Sequence, residues 1–293
     1  MKSNHMNQFV VNGIFIVLVC LCVFPLALLF MTSITDDKAV ILNGYSLFPS
    51  QFSLDAYKYL LYDYSAILRG YGITTFITVF GTFTGLLISS LLAYPLSRKD
   101  LPYRNFFAFL VFFTLLFNGG LVPTYLVYTE IFHIKNTIWA LIVPNILTNG
   151  FLILLMRTYF MNSIPAELIE SAKIDGASEF KIYYLIVLPL SLPILATIGL
   201  MLTITYWNDW FNGLIYVTNR ELFSIQNMMY RMLVDIQFMN QDTSSHAAGE
   251  LASMPAATVR MAMAVIGVFP LFCAYPFFQK YLVKGLTVGA VKG

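Results

Sequence analysis

Charge is scarce in this sequence. Of its 293 residues, 11% are Asp, Glu, Lys or Arg, against about a quarter in an ordinary soluble domain. The formal net charge is +2 and no long basic run occurs, so the composition gives no footing for a nucleic-acid partner. Histidine is equally thin: His5, His133 and His246 stand far apart, and no H-E-x-x-H run puts two of them on one helix face. No metal site is expected. Cysteine is confined to Cys20, Cys22 and Cys273, each inside an apolar run, and these read as packing residues rather than as a disulfide framework or a ligand set. A G-x-x-x-x-G-K-[ST] run is also missing, so this chain has no P-loop to cradle nucleotide phosphates. Asp209 stands alone among apolar residues, without the second carboxylate of an acid–base pair. An enzyme with its own catalytic residues is not expected.

Apolar length is what the sequence has. Hydrophobic residues make up 58% of it, and several runs approach the roughly 20 residues needed to cross the hydrocarbon of a bilayer. Spans are read over 12–34, 71–96, 106–128, 137–159, 190–213 and 258–279. The first exceeds the ~7–15 residues of a signal-peptide core and lacks a small-residue cleavage site. It reads as a helix kinked at Pro25. The second is rich in Thr and Gly, which let backbones approach closely, so it is expected inside a bundle. The third is interrupted by Asn118-Gly119-Gly120 and Pro123. Residues 35–70 are mixed, with Tyr57, Tyr59, Tyr62 and Tyr64 suited to a membrane interface. Residues 214–256 form a long polar segment, and 280–293 a tail. The fold class is therefore all-α and membrane-embedded, with six transmembrane helices; segment 1–70 precedes a core over 71–293.

Lys and Arg in the short loops give orientation. Lys2, Arg98, Lys99, Arg104, Arg157, Lys173, Lys181, Lys280, Lys284 and Lys292 fall on one face, and Lys135 lies in the one short loop of the other. The first face is expected to be cytoplasmic, with both termini and the 161–189 connector on it.

That connector is the most informative stretch. Within it, Glu167, Glu170, Lys173, Asp175, Glu179 and Lys181 mix with small residues between two apolar spans. Pro165 suits a first helical turn and Glu167 complements its dipole. Leu168, Ile169 and Ala172 then share a face. Gly176 ends the helix, and Ser178 can cap a second one carrying Phe180, Tyr183 and Tyr184. Helices this short are not stable alone in water, so they need a docking surface.

The order Glu170-Ser171-Ala172, three residues, Gly176, nine residues, Ile186-Val187-Leu188-Pro189 resembles the EAA loop of permease subunits in binding-protein-dependent ABC importers. Ser171 replaces the first alanine of that pattern. The runs Phe117–Tyr125, Asn136–Pro144 and Arg157–Phe160, the Trp207-Asn208-Asp209-Trp210 motif and the Gly285–Gly293 ending are similar to the carbohydrate branch related to the maltose importers. Within that branch they are most similar to the group serving polysaccharide-derived saccharides.

The resemblance implies a non-enzymatic translocation subunit in a bacterial cytoplasmic membrane. It implies two copies of a separate ABC ATPase that bind ATP and Mg, a second permease chain that is usually different, an extracytoplasmic solute-binding protein, and a saccharide, normally an oligosaccharide, as cargo. Leu168, Glu170, Ala172, Gly176, Phe180 and Tyr183 would then form the coupling surface for the ATPase. Asn240, Asp242 and Ser244, in a small polar stretch, would either meet the binding protein or form a plain loop. Polar groups within the spans are costly and mark function by default. Asn118, Asn145, Asn149, Asn208, Asp209, Asn212 and Arg260 are such groups, with Asp209 and Arg260 a plausible ion pair. Tyr206, Trp207, Asn208 and Trp210, with Asn118 and Asn145, either line a sugar path or anchor and join helices. A secondary transporter would show inverted repeats, and none stands out.

Overall fold

The structure, a computed structural model, describes residues 5–62, 64–147, 149–241 and 256–290. Among these the chain is helical, and its extended pairing is a single bridge between Thr35 and Phe52. The helices are α1 (His5–Ser33), α2 (Asp37–Asn43), α3 (Asp55–Tyr62), α4 (Tyr64–Ser97), α5 (Arg104–Leu116), α6 (Leu121–Leu126), α7 (Trp139–Leu147) and α8 (Gly150–Ser163). They continue as α9 (Ala166–Ile174), α10 (Glu179–Ile182), α11 (Leu188–Leu190), α12 (Leu192–Trp207), α13 (Phe211–Tyr216), α14 (Ile225–Gln241) and α15 (Ala256–Ala290). π-helical turns follow α6 at Val127–Ile131 and α10 at Tyr183–Val187.

Among the described residues three segments are long and apolar enough to cross a membrane: Gln8–Ser33, Tyr64–Ser97 and Ala256–Cys273. Three bent pairs pass the same test when each is taken as one unit. The sharpest bend, 114°, separates α5 from α6 and its π turn. It falls on Phe117–Gly120, where Asn118 Oδ1 accepts from Gly120 N at 2.9 Å and Gly120 adopts φ +84°. A second bend, 81°, divides α10–α11 from α12 at Ser191, between Pro189 and Pro193. Proline removes a ladder donor and crowds the preceding turn, so two of them four residues apart break the helix between them.

The chain divides into two compact units. The first comprises residues 1–68 and 229–270. In it α1 is exposed along nearly all of its apolar length, and Thr32 and Ser33 at its end are buried. Ala56, Leu60, Ile236, Val259, Ala262 and Met263 from α3, α14 and α15 form its apolar centre. Consecutive aspartates cap two helices. Asp36 accepts from Lys38 N and Ala39 N of its own helix α2. Asp37 Oδ1 accepts from Ala257 N at 3.0 Å, Thr258 N at 2.9 Å and Thr258 Oγ1 at 3.1 Å, and so satisfies the orphan donors that open α15.

The second unit comprises residues 69–228 and 271–293. In it α4 meets side chains of α12 at its glycines. A Cβ on Gly81 would lie 2.4 Å from the ring of Tyr206, and one on Gly85 would lie 3.1 Å from Leu202 Cδ1. Thr74, Thr78, Ser89 and Ser90 continue the buried small-residue stripe of α4, close to what its composition predicts. Thr74 Oγ1 donates to Gly70 O at 2.8 Å and accepts from Ile225 N at 2.9 Å, which ties in the start of α14.

Several boundaries and environments differ from the sequence reading. α4 starts at Tyr64, ahead of 71, and α15 runs to Ala290, through most of the expected tail. The polar segment 214–256 contains α14, whose Ile225, Met229, Met232, Leu233 and Ile236 recur at helical spacing inside polar surroundings. The cysteines correct the packing reading: Cys20, Cys22 and Cys273 are free and exposed, because the apolar faces of α1 and α15 that carry them are not covered by this chain. Asp242 and Ser244 lie outside the described residues, as does the side chain of Asn240.

Candidate functional site

Segment 164–189 folds as helix, glycine, helix. Pro165 is the N-cap of α9 rather than its first residue. At the other end Ala177 N donates to Ala172 O at 2.9 Å and Gly176 N to Lys173 O at 3.0 Å. This bond pair closes a helix on a left-handed residue, and Gly176 takes φ +74°. A side chain there would meet no neighbour, so the requirement for glycine is purely conformational. Ser178 Oγ then accepts from Lys181 N at 3.4 Å and caps α10.

Both short helices dock through few side chains. Ile169 of α9, with Ile182 and Tyr183 at the end of α10, enters a cluster with Ala93, Tyr94, Met156 and Phe160 from α4 and α8. Burial of an isoleucine contributes about 1.5–3 kcal/mol. Tyr183 Oη pairs with Ser90 Oγ at 2.6 Å, and its ring centroid is 5.5 Å from that of Tyr94.

A chain of charges reinforces this docking. Arg98 holds Asp100 through two bonds, Nε to Oδ1 and Nη2 to Oδ2, both 2.9 Å. Lys173 Nζ of α9 donates to Asp100 Oδ2 at 2.8 Å and pairs with Glu179 Oε1 of α10 at 2.9 Å. Tyr94 Oη donates to Glu179 Oε2 at 2.6 Å. The network thus joins the end of α4, the turn after it and both short helices. Exposed pairs are each worth about 0–1 kcal/mol, so its effect lies in fixing geometry more than in stability. A cavity of about 360 Å³ opens beside it, lined by Leu91, Pro95, Leu101 and Phe180 among others.

Hydrogen bonds from Arg98 and then Lys173 hold the Asp100 carboxyl below the usual carboxylate range. The same bond to Asp100, then Glu179, raises Lys173. A lowered acid contributes fully above its ordinary value near ~3.9, and that contribution is lost as pH falls through the lowered one. A raised base contributes fully below its ordinary value near ~10.4, and that is lost as pH rises through the raised one. The network should therefore be intact across neutral pH. Spin labels at the exposed positions Lys99 and Ile174 should report one distance distribution from about pH 5 to 9. Asp100→Asn should broaden it at every pH, and an unchanged distribution in that variant would show that the network does not set the geometry.

The expected coupling residues separate into outer and inner groups. Leu168 and Glu170 are exposed, and Phe180 is 79% exposed. Glu170 makes no side-chain hydrogen bond or ion pair among the described residues. Ala172 packs partly against the core, so Leu168 does not share a buried face with it and Ile169. Tyr183 corrects the expectation: only 6% exposed, it faces the chain's own core and cannot fill a cleft in another protein. Ile174, 86% exposed, and Tyr184 stand at the surface instead. The signal missed was phase. Tyr183 and Tyr184 are about 100° apart on a helix, and the start of α10 decides which one points out.

The polar and aromatic residues around α12 also separate. Tyr206 is fully buried over Gly81 and donates from Oη to Ile142 O at 3.1 Å; Trp207 is buried against Tyr71, ring centroids 6.4 Å apart. Both join helices and neither is open to a solute. Asn208 is exposed and donates back to Ile204 O at 3.0 Å, and Trp210 is half-exposed with its ring edge-on to Phe211. Asn118 is exposed at the α5–α6 break. Asn145 is occupied: its Nδ2 donates to Asp209 Oδ2 at 2.7 Å. Asp209 also accepts from Asn212 N at 3.0 Å and Asn212 Nδ2 at 2.6 Å, so these amides answer its carboxylate. No group of three or more His, Cys, Asp or Glu side chains able to hold a metal ion occurs among the described residues.

Comparison with known proteins agrees with this architecture. The polygalacturonan/rhamnogalacturonan transport system permease protein YtcP of Bacillus subtilis (strain 168) is 37% identical over 291 residues, covering 99% of this chain and 100% of the relative. The trehalose/maltose transport system permease protein MalG of Thermococcus litoralis is 29% identical over 95% of this chain and 94% of its own length. Among solved structures, a chain of a bacterial ABC transporter involved in import of the acidic polysaccharide alginate superposes with a TM-score of 0.78 at 29% identity, covering 96% of this chain and 99% of that one. The match to the binding-protein-dependent transport system inner membrane components takes in residues 3–288, and the chain belongs to that family as a multi-pass membrane permease.

Proposed function

We propose that this chain is the membrane-spanning subunit of an ATP-driven importer for a saccharide, normally an oligosaccharide, delivered by an extracytoplasmic binding protein. What carries the reading is full-length similarity to permeases named for transport of polygalacturonan and of trehalose and maltose. The bent helix pairs count as single spans, giving six, with both termini and segment 161–189 on the cytoplasmic side of a bacterial membrane. A second permease chain completes the path, and two copies of a separate ATPase bind ATP and Mg. The outer faces of α9 and α10, with Leu168, Glu170, Ile174, Phe180 and Tyr184, meet that ATPase. Closure of the ATPases moves these helices and, through Ile169, Ile182 and Tyr183, the bundle ends they pack on. Residues around Asn240, Asp242 and Ser244 meet the binding protein.

The test is ATP hydrolysis by the reconstituted complex with binding protein that is empty or loaded with saccharide. Stimulation by the loaded form alone is expected. Equal hydrolysis with both forms, or without binding protein, would sink the reading.

A further inference from the structure

We infer that residues 41–54 form an interfacial anchor, an uncharged aromatic loop that lies on the lipid bilayer at the Ser33 end of α1. In the orientation proposed above, that is the outer leaflet. The inference rests on membership of the membrane permease family and not on the identity of the cargo. From Ala39 to Leu54 the sequence holds no Asp, Glu, Lys, Arg or His. Loops that face water are built from polar residues. Here Leu42 is 82% exposed, Phe48 86% and Phe52 70%, with Ile41, Tyr45 and Leu54 also at the surface. Exposed apolar residues grouped in this way mark a surface that meets a protein or a membrane.

Depth selects the membrane. The apolar run Gln8–Ser33 of α1, at about 1.5 Å per residue, is long enough to cross a hydrocarbon core about 30 Å thick. Thr35, two residues beyond that run, pairs with Phe52 in an antiparallel bridge. Asp36 N donates to Gln51 O and Ser53 N to Ile34 O, both at 3.0 Å, so the loop is folded back to the helix end. Tyr57 Oη meets Ser33 Oγ at 2.8 Å and brings α3 to the same level. A second apolar segment gives an independent mark: Asp37 binds the backbone at Ala257 and Thr258, the opening of Ala256–Cys273. One membrane-length segment thus ends and another begins beside this loop, where hydrocarbon gives way to water. Phe48 is four residues from Phe52, within about 14 Å of it even along an extended chain. An irregular backbone cannot enter hydrocarbon with N–H groups unpaired, so the loop stays among the headgroups while its apolar side chains reach the acyl boundary. A protein that docks and departs is met by charges, which steer it and set its register. A stretch without a charge supplies neither.

The experiment measures the accessibility of nitroxide labels in the assembled importer, reconstituted in lipid nanodiscs. Cys20, Cys22 and Cys273 are replaced by Ala, and one label is attached at Phe48→Cys, Phe52→Cys or Lys58→Cys. Lys58, exposed and paired with Asp55, is the aqueous reference. Two relaxing agents are compared: oxygen, which concentrates in lipid, and a water-soluble nickel chelate. The ratio of oxygen to nickel accessibility should be severalfold higher at Phe48 and Phe52 than at Lys58. It should be the same with loaded binding protein, with empty binding protein and with none. A ratio equal to that at Lys58 would place the loop in water and overturn the inference. Low accessibility to both agents would show a protein contact and overturn it too. Dependence on binding protein would then assign that contact to the binding protein, and independence would assign it to the second permease chain. If the Phe52→Cys complex does not assemble, Phe48→Cys decides alone. Neither result depends on which solute is carried, so failure of saccharide uptake would remove the cargo reading and leave this one standing.

Discussion

Glu170→Ala is expected to lower ATP hydrolysis stimulated by loaded binding protein by about ten- to a hundredfold, with the complex still assembled. The magnitude follows from a charge-assisted hydrogen bond worth about 1.5–3 kcal/mol, at about 1.4 kcal/mol per tenfold. The location follows from burial. Glu170 lies outward on α9, one residue after buried Ile169, and has no side-chain partner among the described residues. Removing its carboxylate therefore costs the isolated chain little, while a cationic group on a docked ATPase would be stranded. Tyr184→Ala and Ile174→Ala remove outward apolar surface and should weaken assembly, whereas Tyr183→Phe removes an inward bond to Ser90. Hydrolysis in Glu170→Ala that still responds fully to loaded binding protein would take coupling away from this face.

Gly81→Ala is expected to be the most damaging single-methyl change in the second unit. The new Cβ would fall 2.4 Å from Tyr206 Cζ and 2.6 Å from both Cε atoms, inside any tolerable contact. A free rotamer change cannot relieve it, because the ring is fully buried and its hydroxyl is bound to Ile142 O. Overpacking of this kind costs about 1–3 kcal/mol, which should appear as a lower midpoint of thermal unfolding in detergent. The partner change supplies the control. Tyr206→Leu leaves space of its own, but paired with Gly81→Ala it should lose less than the sum of the two single changes. Strict additivity would show that the two helices are not in contact at Gly81.

The local grammar of segment 164–189 was readable because its signals act over a few residues. Proline before α9, glycine after it and serine before α10 each fix a backbone group within one turn. The inward position of α4 was readable too, since a helix of Thr, Ser and Gly makes sense only against another backbone. What composition could not give was direction within apolar helices. Tyr206 and Trp207 look from sequence like solute-facing aromatics, yet a membrane helix is apolar all round and offers no polar face to mark its outside. Distant pairings were hidden for a different reason. Lys173 meets Asp100 across 73 positions, and Asn145 meets Asp209 across 64. Neither partner's identity is implied by local pattern, and many charged residues could have served as well.

Gly176 alone would make the α9–α10 connection a free joint, because nothing packs against it. The ammonium of Lys173 spans that joint by bonding Glu179 on its far side, and Asp100 fixes the same ammonium to the turn after α4. Three points held at fixed separations form a triangle, and a triangle cannot shear as a simple elbow can. A load placed on the outer side of either short helix is carried past the glycine without bending it. It arrives at the end of α4, whose glycines receive the Tyr206 ring and the Leu202 side chain of α12. The segment is thus a braced frame, in which one lysine ties together two helices that Ile169, Ile182 and Tyr183 already anchor to the core.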